Sequence, residues 1–308
     1  MPLPHKGAPR LPKEVTQAHR ELVAIYKAAA RRIERQLHAA ALTDFQSFRM
    51  GEQLRQIQAT IAALDAVAAS YAKKLADPSY QLGADLSTAA ISKAGVAATM
   101  GNLVATDAVS AVADQMAMDL LSANRSMEQQ SRRILRATQQ KLISERQINE
   151  AISRGLVEGE TRRQVSDRLL RMLRKEAGEG VSVVINGRRY DPGYYAELVA
   201  RTRTREAVTE GAIRTGLAYG VELFQVSVHA NPCQEVCAAL QGKVFSVTEG
   251  TGFPMLQRRP PYHPNCKHVL TAWIPESDEE EERLRRFSRS KVSTDSYEAF
   301  MAEISPAA

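Results

Sequence analysis

The sequence predicts an α+β protein in which an elongated, mostly α-helical N-terminal region precedes a small α+β C-terminal domain with a short antiparallel sheet and a Cys/His cluster. Alanine is plentiful in the first half, whereas aromatic residues make up only 6% of the chain. Small side chains favour helix and bury little apolar area. Beyond Glu176 the apolar pattern becomes that of short strands. The expected segments are a flexible arm (1–13), a helical domain (14–176), the α+β domain (177–275) and a charged tail (276–308).

In the helical region, apolar residues recur at three- and four-residue steps from Lys13 to about Ala76. Asp77-Pro78 is expected to end this segment, because proline cannot donate the helical hydrogen bond and restricts the residue before it. An earlier break is expected between Thr43 and Gly51. Further helices are expected from Gly83 to Leu121 (interrupted near Gly95 and Gly101), from Ser126 to Ile152 and from Thr161 to Glu176.

The C-terminal domain opens with a predicted β-hairpin. Asn186-Gly187 separates two short apolar or mixed runs, and this pair readily adopts the positive φ angles of a type I′ turn. Asp191-Pro192 then supplies a helix cap and a first-turn residue, and that helix is expected to end at Gly220. Strands are predicted from Val221 to Val228, Lys243 to Val247 and His268 to Ile274, and the acidic run from Glu276 to Glu282 begins a tail that is expected to be mobile.

Positive charge is concentrated in one stretch. Between Asn124 and Glu176 there are thirteen Lys and Arg residues against seven Asp and Glu, an excess equal to the net charge of +6 of the whole chain. Clustered positive charge attracts polyanions, so Arg125–Lys175 is a candidate surface for double-stranded DNA or an acidic partner. A solvated helix face of mixed charge is an equally good interpretation.

The composition argues against a membrane or exported protein. No apolar run approaches the roughly 20 residues that span a bilayer. The first twelve residues lack the apolar core of a secretory signal. The chain has three cysteines, an odd number, and thiols in a protein without an export signal stay reduced. A metal site is therefore favoured over disulfides.

All three cysteines and three of the six histidines fall within forty residues near the C-terminus. Zinc takes four nitrogen or sulfur ligands at tetrahedral corners, usually as two short pairs separated by a loop. The spacings His-x3-Cys-x3-Cys and, further on, His-x2-Cys-x-His offer two such groups. The sequence thus predicts a structural zinc site. Its preferred ligands are His229, Cys237, Cys266 and His268, with Cys233 and His263 as alternates.

Three other interpretations stay open, because the spacing is not that of a standard zinc finger. The cysteines could be small buried thiols accompanied by surface histidines. A catalytic Cys/His pair would need a lowered thiol pKa and a cleft. A metal-dependent nuclease would need a base near the metal, whereas only Glu235 and Glu249 lie in this segment.

Three segments of the C-terminal domain are distinctive: Val226-Ser-Val-His229, Leu240-Gln-Gly-Lys-Val-Phe-Ser246 and Pro261-Tyr-His-Pro-Asn-Cys-Lys-His268. Together with the helix from Leu198 to Ala207 they resemble the phage minor capsid proteins of the Mu F (head-morphogenesis) type, over about residues 195–275. The family's Arg-Thr-Glu is Arg201-Thr202-Arg203 here. Cys237 stands where several members have histidine, an exchange that keeps a metal ligand and loses a general base. The recurrent polar positions of the family fall on His229, Cys237, Gly242, His263, Cys266 and His268.

The resemblance implies a non-enzymatic virion protein of the capsid interior, present in the host cytoplasm during assembly. Its expected role is head (procapsid) assembly at or near the portal, accompanying packaged DNA. The expected partners are the portal, major capsid or scaffolding protein. The alternatives are a DNA-binding virion protein that uses Arg125–Lys175 and a metal-dependent nuclease.

Overall fold

The computed structural model describes residues 9–42, 47–97, 106–139, 181–229 and 235–290, with isolated residues between 153 and 168. These ranges are mostly helical, with short antiparallel strands near the C-terminus, which confirms the predicted fold class. None of their helices combines the length and the apolar character needed to cross a membrane. The elements are α1 (Lys13–Leu42), α2 (Ser47–Lys93), α3 (Thr106–Gln139), β1 (Val183–Ile185), β2 (Arg188–Tyr190), α4 (Pro192–Ala218), β3 (Leu223–Val226), α5 (Glu235–Leu240), β4 (Val244–Ser246), β5 (Leu270–Ala272) and α6 (Asp278–Arg289).

The chain forms two compact units, each assembled from separate stretches of sequence. We call Met1–His19, Ala72–Met116 and Leu198–Ala308 the sheet unit, because it contains β3, β4 and β5. We call Arg20–Tyr71 and Ala117–Glu197 the helix unit.

The helix unit buries one side of each of its long helices. Two hydrogen bonds between helices accompany this apolar core. The hydroxyl of Tyr71 donates to Glu21 at 3.0 Å, and the amide of Asn124 donates to Asp65 at 2.8 Å. Hydrogen bonds between partly buried side chains of this kind favour one pairing of the helices. The core side chains that are fully buried include Leu22, Tyr26, Ile33, Ile57, Leu64 and Leu120.

The hairpin of the helix unit has the predicted turn. Strands β1 and β2 are antiparallel, with Ile185 opposite Arg188. Asn186 has a φ of 49° and Gly187 a φ of 74°, both in the left-handed region that a type I′ turn requires. Asp191 caps the next helix, since its side chain accepts a hydrogen bond from the backbone N–H of Tyr194 at 2.9 Å. The predicted hairpin and cap are therefore confirmed.

The sheet unit contains a three-stranded antiparallel sheet of order β4-β3-β5, formed within the three segments predicted as strands. The buried hydroxyl of Ser87 in α2 links this sheet to the helices. It donates to the carbonyl of Ala212 in α4 at 2.9 Å and accepts from the backbone N–H of Ala272 in β5 at 3.2 Å. The surrounding apolar cluster includes Ile91, Ile213, Phe224, Val226, Leu270 and Ala272.

The prediction that Asp77-Pro78 ends a helix is wrong, because α2 continues through Pro78 to Lys93. The residues around the proline are the reason. Leu75, Ser79 and Tyr80 are fully buried, and the hydroxyl of Ser79 donates to the carbonyl of Leu75 at 2.6 Å. Burial of two large side chains offsets the roughly 3 kcal/mol that a proline costs inside a helix.

The expectation of a mobile tail is also wrong for residues 278–289, which form α6. Ser277 caps this helix, since its hydroxyl accepts from the backbone N–H of Glu280 at 3.2 Å. Four acidic residues in the first turn and two arginines in the last complement the helix dipole. The backbone N–H of Val244 donates to Ser288 at 2.9 Å, which fastens α6 to β4.

The remaining helix predictions are described only in part. Helix α1 ends at Leu42 and α2 begins at Ser47, so Ser47 to Gly51 of the predicted break are helical, and the rest of it, 43–46, lies outside the described residues. Gly95, with a φ of 83°, follows the end of α2 as expected. Gly101 and the predicted helices beyond Gln139 lie outside the described ranges, apart from isolated residues.

Candidate metal centre

A tight turn brings His263 and Cys266 together. The backbone N–H of Cys266 donates to the carbonyl of His263 at 3.0 Å, which closes a four-residue turn. Pro264 occupies its second position and Asn265, with a φ of 67°, its third. This is the residue pattern of a type II turn, in which proline presets the first angle and asparagine tolerates the left-handed one.

Cys237 reaches this turn from the buried side of the short helix α5. Its sulfur lies 3.2 Å from Nε2 of His263 and 3.8 Å from the sulfur of Cys266. The donor atoms of Cys237, His263 and Cys266 all lie within 4.8 Å of one another. Their exposed fractions are 0%, 7% and 3%, so the group is closed to bulk solvent.

The ring of His263 is oriented by the backbone. Its Nδ1 lies 2.7 Å from the carbonyl oxygen of Pro264, which can only accept, so Nδ1 carries the proton in the neutral ring. The lone pair of Nε2 is then directed at the sulfur of Cys237. Histidines that bind metals are usually held in this way, by a hydrogen bond from the second ring nitrogen.

His268 and His229 lie beside this group. Nδ1 of His268 is 3.6 Å from the sulfur of Cys266, and the rings of the two histidines pack edge to face with centroids 4.4 Å apart. Nε2 of His229 is 3.0 Å from the hydroxyl of Ser227, which itself accepts from the backbone N–H of Val269 at 3.1 Å. The hydroxyl proton of Ser227 is therefore available to His229.

A family model described as Phage minor capsid protein 2 matches residues 11–299. The chain belongs to this family of phage minor capsid proteins. This confirms the predicted resemblance to phage minor capsid proteins, whereas the narrower Mu F type stays a prediction. No curated protein and no solved structure gave a significant match to this minor capsid protein.

The thiol of Cys266 in the minor capsid protein is poised to ionise. Its hydrogen bond with Cys237 lowers its pKa well below the usual range, with smaller contributions from His263 and His268, whereas burial acts in the opposite direction. The thiolate is the form of cysteine that binds metals. Burial lowers the pKa of His229 to about 4, helped by the charge of His268, so His229 is neutral near pH 7.

The three donors that lie together, Cys237, His263 and Cys266, have separations close to those around a tetrahedral zinc ion. Two sulfurs bound to such an ion at about 2.3 Å lie about 3.8 Å apart, and a sulfur and a nitrogen about 3.5 Å apart. The observed separations are 3.8 Å between Cys237 and Cys266, 3.2 Å between Cys237 and His263 and 3.6 Å between Cys266 and His268. Thiolate and imidazole are also the ligands that zinc prefers.

The six predicted ligands therefore take different places. Cys237 and Cys266 come together with His263, which the sequence offered only as an alternate, and His268 adjoins Cys266. His229 packs on His268 and directs Nε2 at Ser227. Cys233 lies outside the described residues. Sequence reasoning assigned no role to the carbonyl of Pro264 or to the hydroxyl of Ser227, although the sequence His-Pro-Asn-Cys is itself a turn signal.

Proposed function

We propose that this minor capsid protein is a non-enzymatic component of the phage head that acts in head assembly, at or near the portal, with a sheet unit stabilised by structural zinc. The observation that carries the structural role of the metal is the burial of the Cys237–His263–Cys266 group. A catalytic zinc keeps one position open to water and substrate. These three side chains are at most 7% exposed, and the described group of donors includes no carboxylate that could act as a base.

The proposed ligands are Cys237, His263, Cys266 and His268. Two thiolates would neutralise the charge of Zn²⁺, and the two imidazoles would complete a tetrahedron. His229 then acts through its packing on His268, whose ring it holds in place. His263 is preferred to His229, which the sequence favoured, because His263 and not His229 is among the three donors that lie within 4.8 Å of one another.

Zinc at this site would join α5 to the long irregular segment before β5. Cys237 and Cys266 are 29 residues apart, and between β4 and β5 the described backbone contains one isolated bridge, from Ser246 to Met255. Because the unfolded chain has no preformed site, the free energy of metal binding adds to the free energy of folding. The metal would therefore hold in place a segment that has little regular hydrogen bonding of its own.

Elemental analysis of the purified full-length protein tests the metal assignment. We expect about one zinc per chain in the wild type and substantial loss in Cys237→Ser, Cys266→Ser and His263→Ala. His19→Ala is the matched control, since it removes a histidine outside the cluster and should keep the zinc. A wild-type protein without zinc would end the metal assignment, and loss of zinc from Cys233→Ser would support an alternate ligand set.

The assembly role predicts specific partners. The family match makes the chain a structural component of the phage particle, and we propose that it enters the procapsid interior from the host cytoplasm by binding portal, major capsid or scaffolding protein. Sedimentation of procapsids from infected cells should recover the tagged chain. Particles made without portal should lack it. Equal recovery from particles without portal would contradict the portal position, and absence from all particles would contradict the head role.

Association with packaged DNA is a second candidate function. It is favoured by three exposed arginines on α3, namely Arg125, Arg133 and Arg136, in the described part of the basic stretch Arg125–Lys175. Binding that depends on phosphates releases counterions, so its affinity should fall steeply with salt. An affinity for duplex DNA that does not respond to salt would count against this candidate.

A further inference from the structure

The β1–β2 hairpin exposes four consecutive residues, Asn186 to Arg189. The turn is a rigid one, because both central residues occupy the left-handed region. Arg188 and Arg189 follow immediately, on opposite faces of the two-stranded sheet. The hairpin therefore carries two cations on a short, conformationally fixed support.

Ser126 of α3 is hydrogen-bonded to the backbone of the hairpin. In a hairpin with a two-residue loop, Ile185 and Arg188 exchange the first pair of hydrogen bonds, so the backbone groups of Val184 point away from β2. Ser126 satisfies both of them: its hydroxyl accepts from the N–H of Val184 at 2.7 Å and lies 3.3 Å from its carbonyl. Arg189 is the residue directly opposite Val184 in the register.

Aromatic packing stiffens the end of the hairpin. The ring of Tyr190 stacks on Tyr194 with centroids 6.4 Å apart and packs against Tyr195 at 5.5 Å. Val183, opposite Tyr190 in the register, is fully buried. Since the tyrosine rings are engaged with one another, they are not arranged to take up separate nucleic-acid bases between them.

Helix α3 carries further arginines near Ser126. Arg125 precedes Ser126, and Arg133 lies two helical turns, or about 10 Å, beyond Ser126 on the same side. Arg136 shares a side of the helix with Arg125, about 16 Å away along the axis. In the part of the chain that the structure describes, neither these three arginines nor Arg188 forms an ion pair.

We infer that the β1–β2 hairpin and the exposed arginines of α3 together form a surface that binds the sugar–phosphate backbone of DNA. Guanidinium groups match phosphate oxygens in a forked geometry, and cations spread over about 16 Å suit a linear polyanion better than a single carboxylate. Backbone contacts of this kind position a protein without reading sequence. The inference rests on the second candidate function and extends it to Arg188 and Arg189, which lie outside Arg125–Lys175.

Binding of the full-length protein to a labelled 30-base-pair duplex, followed by fluorescence anisotropy across a salt series, tests this surface. Arg188→Ala with Arg189→Ala should weaken binding about 5- to 50-fold and reduce the salt slope by about 1 to 2. The double change to lysine should restore much of the affinity, because phosphate contacts mainly need the charge. Arg283→Ala with Arg286→Ala on α6 removes the same charge elsewhere and should change affinity less than about twofold.

Each outcome decides a separate point. Equal effects of the hairpin and α6 changes would overturn the assigned surface, and so would a hairpin variant that binds like wild type. Competition by poly-glutamate as effective as that by DNA would show a general acidic-partner surface instead. Tighter binding to single strands would move the assignment to unpaired DNA. Zinc content and recovery in procapsids, measured on the same variants, should be unchanged, so failure here is distinguishable from failure of the head-assembly role.

Discussion

Gly83 of α2 lies so close to Val208 of α4 that a β-carbon on the glycine would be 1.8 Å from the carbonyl oxygen of the valine. The contact is reciprocated one turn away, where a β-carbon on Gly211 would be 2.1 Å from the carbonyl oxygen of Tyr80. Backbone atoms cannot move aside as a side chain can. The close packing of α2 against α4 therefore requires glycine at both positions.

The first prediction concerns this helix contact. Gly83→Ala should lower the free energy of unfolding by at least about 1–3 kcal/mol, because α2 and α4 must separate to admit a methyl group. Gly51→Ala is the matched control in the same helix, since its β-carbon would meet only the end of Arg55 at 4.0 Å. That change should stabilise the protein by up to about 1 kcal/mol, through helix propensity. Urea unfolding of both variants would measure the difference, and equal destabilisation would contradict the contact.

The second prediction separates ligands from supporting residues at the metal centre. His263→Ala should abolish stoichiometric zinc binding, because Nε2 of His263 faces the sulfur of Cys237 at 3.2 Å. His229→Ala should still bind zinc, but with an affinity about 10- to 100-fold lower, as is usual when a residue that orients a ligand is changed. Competition with a chromogenic chelator measures both affinities. The reverse order of effects would favour the ligand set that includes His229.

The third prediction concerns pH and His19, which lies in the sheet unit. Burial lowers the pKa of His19 to about 4, and the charges of Arg201 and Arg205 act in the same direction. The folded protein holds this histidine neutral, whereas the unfolded chain protonates it near pH 6.5. The contribution of His19 to the free energy of unfolding is therefore fully present above pH 6.5. It is lost as the pH falls toward 4, by about 1.4 kcal/mol per unit.

Urea unfolding at pH 7 and pH 5 tests this assignment. Between pH 7 and pH 5 the free energy of unfolding of the wild type should fall by about 2 kcal/mol more than that of His19→Gln, because glutamine does not titrate. Comparison of the two proteins cancels the contribution of the acid-sensitive cysteine and histidine cluster, which both of them contain. Parallel loss in both would show that His19 is not the titrating group.

The fourth prediction uses Trp273, the single tryptophan of the chain. Its ring packs edge to face on Phe253 with centroids 5.5 Å apart, and Leu284 of α6 packs against the same cluster. Leu284→Ala should therefore shift the fluorescence of Trp273 to longer wavelength. It should also lower the free energy of unfolding by about 1–2 kcal/mol. Glu279→Ala, at an exposed position of the same helix, should leave the emission unchanged. Unchanged emission in Leu284→Ala would place α6 elsewhere.

Features set by neighbouring residues could be predicted from the sequence. Asn186-Gly187 defines its turn through its own backbone angles, and Asp191-Pro192 caps α4 through a hydrogen bond that spans three residues. The Ser277-x-x-Glu280 pattern is an equally local signal for α6. It was hidden by the acidic composition of the segment, which also suits a solvated tail.

Features set by distant contacts could not be predicted in this way. Pro78 remains inside α2 because Leu75 and Tyr80 are buried by tertiary packing. The metal centre shows the same limit. The spacing of cysteines and histidines identifies the segment, but which histidine meets Cys237 depends on the turn at Asn265 and the orientation of α5. His263 therefore ranked below His229 on spacing alone.

The double role of Ser87 has a consequence for synthesis on the ribosome. Its two partners, Ala212 and Ala272, follow it by 125 and 185 residues. At about 5–20 residues per second, the second partner is made about 10 to 40 s after the serine. Until β3 is made, Ile91, a member of the same apolar cluster, has none of its β-strand neighbours, and those of β5 follow only at the end of the interval. The nascent chain must therefore be kept from aggregating until β5 has been made, and a fragment that begins at Leu198 would lack the α2 residues that complete its core.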